Sequence, residues 1–323
     1  MIAIIALLSA IILSPEDNKV ITIDRNVIST ISEIKFQDNY LFIVGDKRNG
    51  LLYKYDVDNK RVLQEYGGYG EGPGEHGDLT DFDIYGDYIY TYDVTQHRVN
   101  RFHIDRGFED SWVIEDRLTD ILVNDNYLYG FNSTGISPGS ELAVIYDLTD
   151  MEKVYRGYEV SDLLEDLAIG SMGPGNYMAG NKEYMYFSHS YELILEQVSK
   201  KDFTSTRIDL SGESGIYEVF DGGRVDPQSG DLGSRISASS PNLHIIGDML
   251  YINFRVRNEE DYVGGPFFME KYNLETYELE GVADLGSYIV MYIDESFIYA
   301  NNTEELHEDY SEIKKLPLES AFN

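Results

Sequence analysis

Cysteine is absent from this 323-residue chain, which excludes disulfide staples and thiolate metal centres alike. Tryptophan occurs once and proline eight times. Basic residues are scarce: 25 Lys and Arg stand against 58 Asp and Glu, a formal charge of −33 with a pI near 4.3. Nucleic-acid affinity depends on neutralising phosphates with basic side chains, so DNA, RNA and anionic lipid surfaces are not the expected partners. No apolar run is long enough to span a bilayer. The longest, Met1 to Leu13, has the length of a signal-peptide core but lacks the basic residues that normally precede one. Two readings of it stand: an atypical signal peptide over residues 1–14, or an apolar strand of the mature domain. The polar break Ser14-Pro15-Glu16-Asp17-Asn18 suits the end of a leader, so an extracytoplasmic location is expected. No Cys follows the run to carry a lipid anchor.

What the chain does contain is strand-forming material. Hydrophobic residues make up 42% and aromatics 13%, with 27 Tyr, enough for a large core and too much for global disorder. The acidic residues are spread along the whole length, as in Glu109-Asp110, Glu259-Glu260-Asp261 and Glu304-Glu305, which reads as a solvated surface. High net charge favours solubility at the cost of self-repulsion that salt screens, so a salty habitat is expected.

One short phrase recurs six times: a turn of polar residues, then an aromatic residue or Met, an apolar residue, and an aromatic. It appears around Leu41, Ile89, Leu128, Met185, Leu250 and Ile298, at intervals of 48, 39, 57, 65 and 48 residues. These intervals bracket the length of a four-stranded propeller blade, with insertions in the two long ones. Four strands can be counted in the first unit: Ile31 to Phe36, Tyr40 to Val44, Leu51 to Val57 and Arg61 to Tyr66, with Asn49-Gly50 as a hairpin signal between the second and third. The last unit shows only three strands before the chain ends, while Lys19 to Asp24 reads as a strand without a home. The fold expected is therefore all-β: a single six-bladed β-propeller over residues 19–318, built of four-stranded antiparallel blades and closed by the N-terminal strand. A sandwich or tandem β-domains would not repeat one phrase over nearly the whole chain.

The segment Tyr66-Gly67-Gly68-Tyr69-Gly70-Glu71-Gly72-Pro73-Gly74-Glu75-His76 lies between the first two blades. It resembles the G-x-G-x-G-P-G-E-F phrase of a bacterial, mostly secreted six-bladed β-propeller family related in shape to TolB-like and NHL-repeat propellers. A partial copy, Gly173-Pro174-Gly175, precedes the fourth blade, and the resemblance extends over about residues 20–318. His76 departs from the pattern, where the family usually has Phe. The resemblance implies a binding or scaffold role outside the cytoplasm and carries no catalytic residue across.

Gly72, Pro73, Gly74 and Glu75 have a sufficient structural reading, since glycine permits positive φ and proline fixes one φ in a tight inter-blade passage. In propellers this passage usually lies on the face where the channel opens, which makes His76, Asp78 and Asp81 candidate binding residues. The two insertions, residues 159–175 and 211–239, are expected to cap one face. The first has apolar residues at helical spacing; the second carries Arg224 and Arg235, which could receive an anionic group or pair with neighbouring carboxylates.

Catalytic signals are weak. Gly135-Ile136-Ser137-Pro138-Gly139 fits the nucleophile-elbow pattern but falls in a loop between strands rather than at a strand-to-helix turn. None of the six His residues forms the i, i+4 pair of zinc proteases. A metal at the channel mouth would be held by hard carboxylate oxygens, favouring Ca²⁺. The expectation is a monomeric, non-catalytic binding propeller for a glycan, peptide or protein; the alternative is a Ca²⁺-dependent enzyme of the lactonase or lyase sort.

Overall fold

The computed structural model describes residues 19–132, 141–159, 177–188, 193–214, 238–256, 266–302 and 310–322. The two expected insertions lie almost wholly outside these residues, as do Arg224, Arg235, the Gly135–Gly139 motif and the first 18 residues.

Strand β1 (Lys19–Asp24) precedes the first blade, which comprises β2 (Glu33–Gln37), β3 (Tyr40–Val44), β4 (Leu51–Asp56) and β5 (Arg61–Gly67). The second blade is β6 (Leu79–Tyr85), β7 (Tyr88–Asp93), β8 (Arg98–His103) and β9 (Gly107–Val113). The third is β10 (Asp120–Asn124), β11 (Tyr127–Phe131), β12 (Glu141–Asp147) and β13 (Lys153–Glu159). The fourth is β14 (Met178–Gly180), β15 (Tyr184–Ser188), β16 (Ile194–Ser199) and β17 (Ser205–Asp209). The fifth is β18 (Ala238–Ile246), β19 (Met249–Val256), β20 (Phe267–Asn273) and β21 (Leu279–Gly286). The sixth holds β22 (Tyr288–Ile293), β23 (Phe297–Asn302) and β24 (Tyr310–Pro317).

Each of six sheets has four antiparallel strands, and in the sixth the order β1-β24-β23-β22 puts the N-terminal strand in the outer position. Ring closure is thus a strand pairing between the two ends of the chain. Side chains reinforce it: Ile21 and Ile23 of β1 share a core cluster with Ile34 and Leu41 of the first blade and Tyr299 and Ile313 of the sixth. The described core divides into six clusters, one at each interface between successive blades. This division is what a closed ring requires, because every sheet must bury both faces.

The repeated phrase explains the packing. Its central residues, Leu41, Ile89, Leu128, Met185, Leu250 and Ile298, are all completely buried, and the aromatic after each one is nearly so. The hairpin at Asn49-Gly50 forms differently from a two-residue turn. Lys47–Asn49 make a single 3₁₀ turn capped by the Asp46 side chain, which accepts from the Arg48 amide at 3.0 Å, and Gly50 ends it at φ 63°. The longer loop carries Lys47 toward the second blade, where its ammonium donates to the Thr80 carbonyl at 2.5 Å.

Candidate functional site

The innermost strand of every blade runs along the propeller axis, and the register with its neighbour identifies equivalent positions. The residue six before each phrase centre pairs with the aromatic that follows that centre: Lys35 with Phe42, Asp83 with Tyr90, Leu122 with Tyr129, Ala179 with Tyr186, His244 with Tyr251, Tyr292 with Tyr299. Two residues earlier stand Glu33, Asp81, Asp120, Tyr177, Asn242 and Val290, a second ring. In the sixth blade a bulge between Val290 and Tyr292 shifts the register by one, so that Ile289 rather than Val290 pairs with Asn301, the place that Val44, Tyr92, Phe131 and Asn253 hold in their blades. All six members of the second ring, together with Lys35, Asp83, His244 and Tyr292, line a cavity of about 480 Å³ at the channel mouth. Lys47, Ile289 and the Thr80 segment complete its rim.

The charged groups of this wall fasten one blade to the next. Asp81 accepts from its own neighbour Phe82 N at 2.8 Å and from Ile121 N of the third blade at 2.5 Å. Asp83 accepts from Val123 N at 2.6 Å, and Asp120 from Tyr177 N at 2.7 Å. Lys35 reaches from the first blade to Asp83 at 2.9 Å and lies 3.9 Å from Glu33. These bonds satisfy backbone amides on the channel-facing edges of the inner strands, which would otherwise lack partners.

The carboxyl groups of Glu33 and Asp120 both hydrogen-bond to Asp81. Carboxylates in such contact cannot all be ionised, so protons are shared among them. Burial opposes ionisation of Asp81, but the Lys35 ammonium, the two neighbouring carboxyls and the Ile121 amide outweigh it and hold Asp81 below the usual carboxylate range. Burial and the Asp81 charge push Glu33 and Asp120 well above it. The negative charge of the cluster therefore falls preferentially on Asp81, and the flanking carboxyls favour their protonated forms. Burial also raises the cost of charging Lys35, yet Asp83, Asp81 and Glu33 reverse the effect and keep it firmly protonated. Across the cavity, burial and the Lys35 charge push His244 down to about 4, leaving a neutral imidazole whose Nε2 is shielded from solvent and has no hydrogen-bond partner.

Of the candidates named from sequence, Asp81 lies in this wall. Asp78 stands outside it; its amide donates to Asp93 at 3.2 Å and its carbonyl accepts from Val94 N. His76 is fully buried away from the cavity, and its two ring nitrogens are engaged by Gly50 O at 2.8 Å and Thr91 Oγ1 at 2.7 Å. A carbonyl can only accept, so Nδ1 carries the proton and Nε2 accepts from the threonine hydroxyl. Burial lowers the His76 pKa, consistent with a neutral ring. Here His76 ties the first blade to the second, and a ligand has no access to it.

The Gly-Pro-Gly-Glu segment is held with similar thoroughness. Glu75 accepts from Gly72 N at 2.8 Å, Arg98 donates to the Glu71 and Gly72 carbonyls at 2.8 Å each, and Asn100 Oδ1 accepts from Gly74 N at 3.2 Å. Gly67 is required twice over: its φ is 84°, and a Cβ there would lie 2.4 Å from His76 Nδ1. At Gly74, with φ 79°, a Cβ would lie 2.7 Å from the Phe108 ring.

Glu33, Lys35, Asp83, Asp120 and His244 were not singled out from sequence. The signal that finds them is the repeat itself, counted six and eight residues back from each phrase centre. Among the described residues, no group of three or more His, Cys, Asp or Glu side chains is arranged to hold a metal ion. No described helix is long and apolar enough to cross a membrane.

Solved structures similar to this chain share its overall shape at low identity. One, described as a "Putative exported protein" from Bacteroides fragilis, is 14% identical with a TM-score of 0.63, over 93% of this chain and 95% of that one. A member of the duf4221 family from Bacteroides vulgatus is 10% identical with a TM-score of 0.64, over 92% and 96%. Hydrazine synthase of Kuenenia stuttgartiensis, 11% identical, gives 0.53 over 82% and 71%. At such identities the likeness is one of fold, and one propeller fold serves unrelated functions. No curated protein matches the sequence. Residues 19–208 match the model of DUF5128, a 6-bladed beta-propeller, and the chain belongs to that family.

Proposed function

We propose that this propeller is a non-catalytic binding protein that acts outside the cytoplasm and takes a glycan, peptide or protein segment at its channel mouth. The observation that carries the reading is the cavity of about 480 Å³ to which residues of all six blades contribute. That volume is in the range of small-molecule sites, and its walls mix apolar and aromatic surface with a few convergent polar groups. Its carboxylates are engaged with backbone amides and with one another, so they do not present a general base beside a nucleophile. The apolar N-terminal run and the exported description of the Bacteroides fragilis neighbour support a place beyond the cytoplasm.

Thermal unfolding of the full-length protein against a panel of glycans and peptides tests the proposal. A ligand at a hundred times its Kd stabilises by about 2.7 kcal/mol. Ile289 sits at the rim, 38% exposed, so Ile289→Trp should obstruct the mouth without disturbing the core. Ligands are expected to raise the wild-type midpoint and leave that of the variant unmoved. A panel without a hit, or hits indifferent to the rim substitution, would refute the reading.

A further inference from the structure

We infer that the ligand of this cavity is an uncharged glycan, recognised through its hydroxyl groups and one apolar sugar face. The inference rests on the binding role proposed above and narrows it to one class.

Charge matching comes first. Lys35 is 2.9 Å from Asp83 and also faces Asp81, whose two oxygens accept from Phe82 N and Ile121 N. Glu33 and Asp120 touch Asp81, and burial together with the Asp81 charge pushes both toward the protonated form, which opposes further negative charge in the wall. The ionised groups of the wall are then Lys35 and Lys47 against Asp81 and Asp83, which balance. His244 and the phenols of Tyr177 and Tyr292 complete the titratable groups on the facing strands, and they are neutral. A ligand bearing net charge would lose hydration on entering and find no surplus of the opposite sign. In a chain of net charge −33, the mouth of the channel is locally balanced.

Edge availability separates a glycan from a peptide. An extended peptide binds by adding to an exposed strand edge, where unpaired amides and carbonyls await partners. Along the charged part of this channel those groups are taken: Ile121 N by Asp81, Val123 N by Asp83, Tyr177 N by Asp120 and Thr80 O by Lys47. What the wall offers instead is side-chain donors and acceptors close together, with Ile289 and the Tyr292 ring on the adjoining sixth blade. A hydroxyl both donates and accepts, so it can serve an ammonium, a carboxyl or a phenol in turn. The C–H face of a pyranose suits an aromatic and aliphatic wall.

The test uses matched probes on the full-length protein: neutral gluco-, galacto- and manno-oligosaccharides, the corresponding uronate oligosaccharides, and peptides of net charge zero and +2. Affinities are measured by calorimetry for the wild type, Ile289→Trp and Tyr292→Ala. At least one neutral oligosaccharide is expected to bind at least tenfold more tightly than its uronate counterpart and than either peptide. Both variants should lower that affinity at least tenfold while keeping the wild-type far-UV spectrum and cooperative melting. Rim-sensitive binding that prefers the uronate or a peptide overturns the uncharged-glycan assignment and leaves the binding role standing. Absence of any rim-sensitive ligand overturns both.

Discussion

On the first three blades the two inner rings hold Glu33, Lys35, Asp81, Asp83 and Asp120, with Leu122 as the one apolar member; on the last three they hold Tyr177, Ala179, Asn242, His244, Val290 and Tyr292. Apart from Val290, which the bulge of the sixth blade displaces by one, the positions are equivalent by register. Their chemistry is not. The first arc joins neighbouring strands with carboxylate-to-amide bonds and an ion pair. The second relies on packing, with Tyr292 against Phe36 at 5.7 Å and Val290 within a core cluster that includes Met269 and Ile298. A repeat thus fixes where a side chain stands and leaves open how that place is sealed. It also gives the cavity two unlike walls, and a ligand that prefers neither a charge nor a strand edge is the one that fits between them.

The arcs should differ most in what a truncation costs. Asp83→Ala removes the acceptor of the Val123 amide and the ion-pair partner of Lys35, leaving a buried cation. Breaking a buried pair on one side costs about 3–5 kcal/mol. Tyr292→Phe, on the opposite arc, removes a hydroxyl and keeps the ring, for roughly 0.5 kcal/mol or less. Urea denaturation of both variants measures the contrast. Losses of equal size would show that the bonds of the charged arc do not hold the blades together.

Proton linkage extends the contrast, because the raised carboxyls Glu33 and Asp120 of one arc and the lowered imidazole His244 of the other act in opposite directions. Glu33 and Asp120 keep protons in the fold that the unfolded chain releases near pH 4. The folded state therefore binds more protons above that pH, and this contribution to stability is lost as pH rises toward the folded values. Asp81 acts in reverse, supporting the fold above its unfolded value and losing that support as acid protonates it. His244, pushed down to about 4, is neutral in the fold while the unfolded imidazole charges near 6.5, so stability falls as pH drops through that interval. Urea midpoints between pH 4.5 and 9 should show Glu33→Gln and Asp120→Asn gaining on the wild type toward alkaline pH. His244→Asn should gain on it toward acid, by roughly 1–3 kcal/mol at the extreme. Parallel curves for all four proteins would contradict the proton assignment.

Much of this architecture was legible from the phrase repeated around Leu41, Ile89, Leu128, Met185, Leu250 and Ile298, because a residue buried on both sides of its sheet must be apolar in every blade. Strand β1 was legible for a related reason: a sixth sheet of three strands leaves an edge to be filled, and Lys19–Asp24 was unassigned. The channel wall was less so. Its members share an offset but no residue type, and only Asp81 had been marked as a candidate, for its nearness to the Gly-Pro-Gly-Glu segment. His76 was marked for the same nearness, yet a histidine at a position where Phe is usual fills a buried site, and its hydrogen bonds to Gly50 and Thr91 come from distant parts of the chain. The 3₁₀ turn over Lys47–Asn49 was hidden because Asn-Gly also suits a two-residue hairpin.

The smallest expected effect concerns salt, and it separates the outer surface from the channel. With −33 charges spread over the chain, repulsion among exposed carboxylates should weaken as the Debye length falls to about 3 Å in molar NaCl, so the wild-type melting midpoint should rise. The channel charges are matched within the wall and lie where mobile ions screen poorly. Removing one protonated carboxyl by Glu33→Gln or Asp120→Asn should therefore leave the salt-induced gain unchanged to within about 0.3 kcal/mol, the scatter expected of independent effects. Measured as midpoints at low and molar NaCl near pH 7, a wild type that gains nothing from salt would remove surface repulsion as a factor. A variant whose gain departs clearly from that of the wild type would show that bulk ions reach Glu33 or Asp120, and the locally balanced wall would have to be given up.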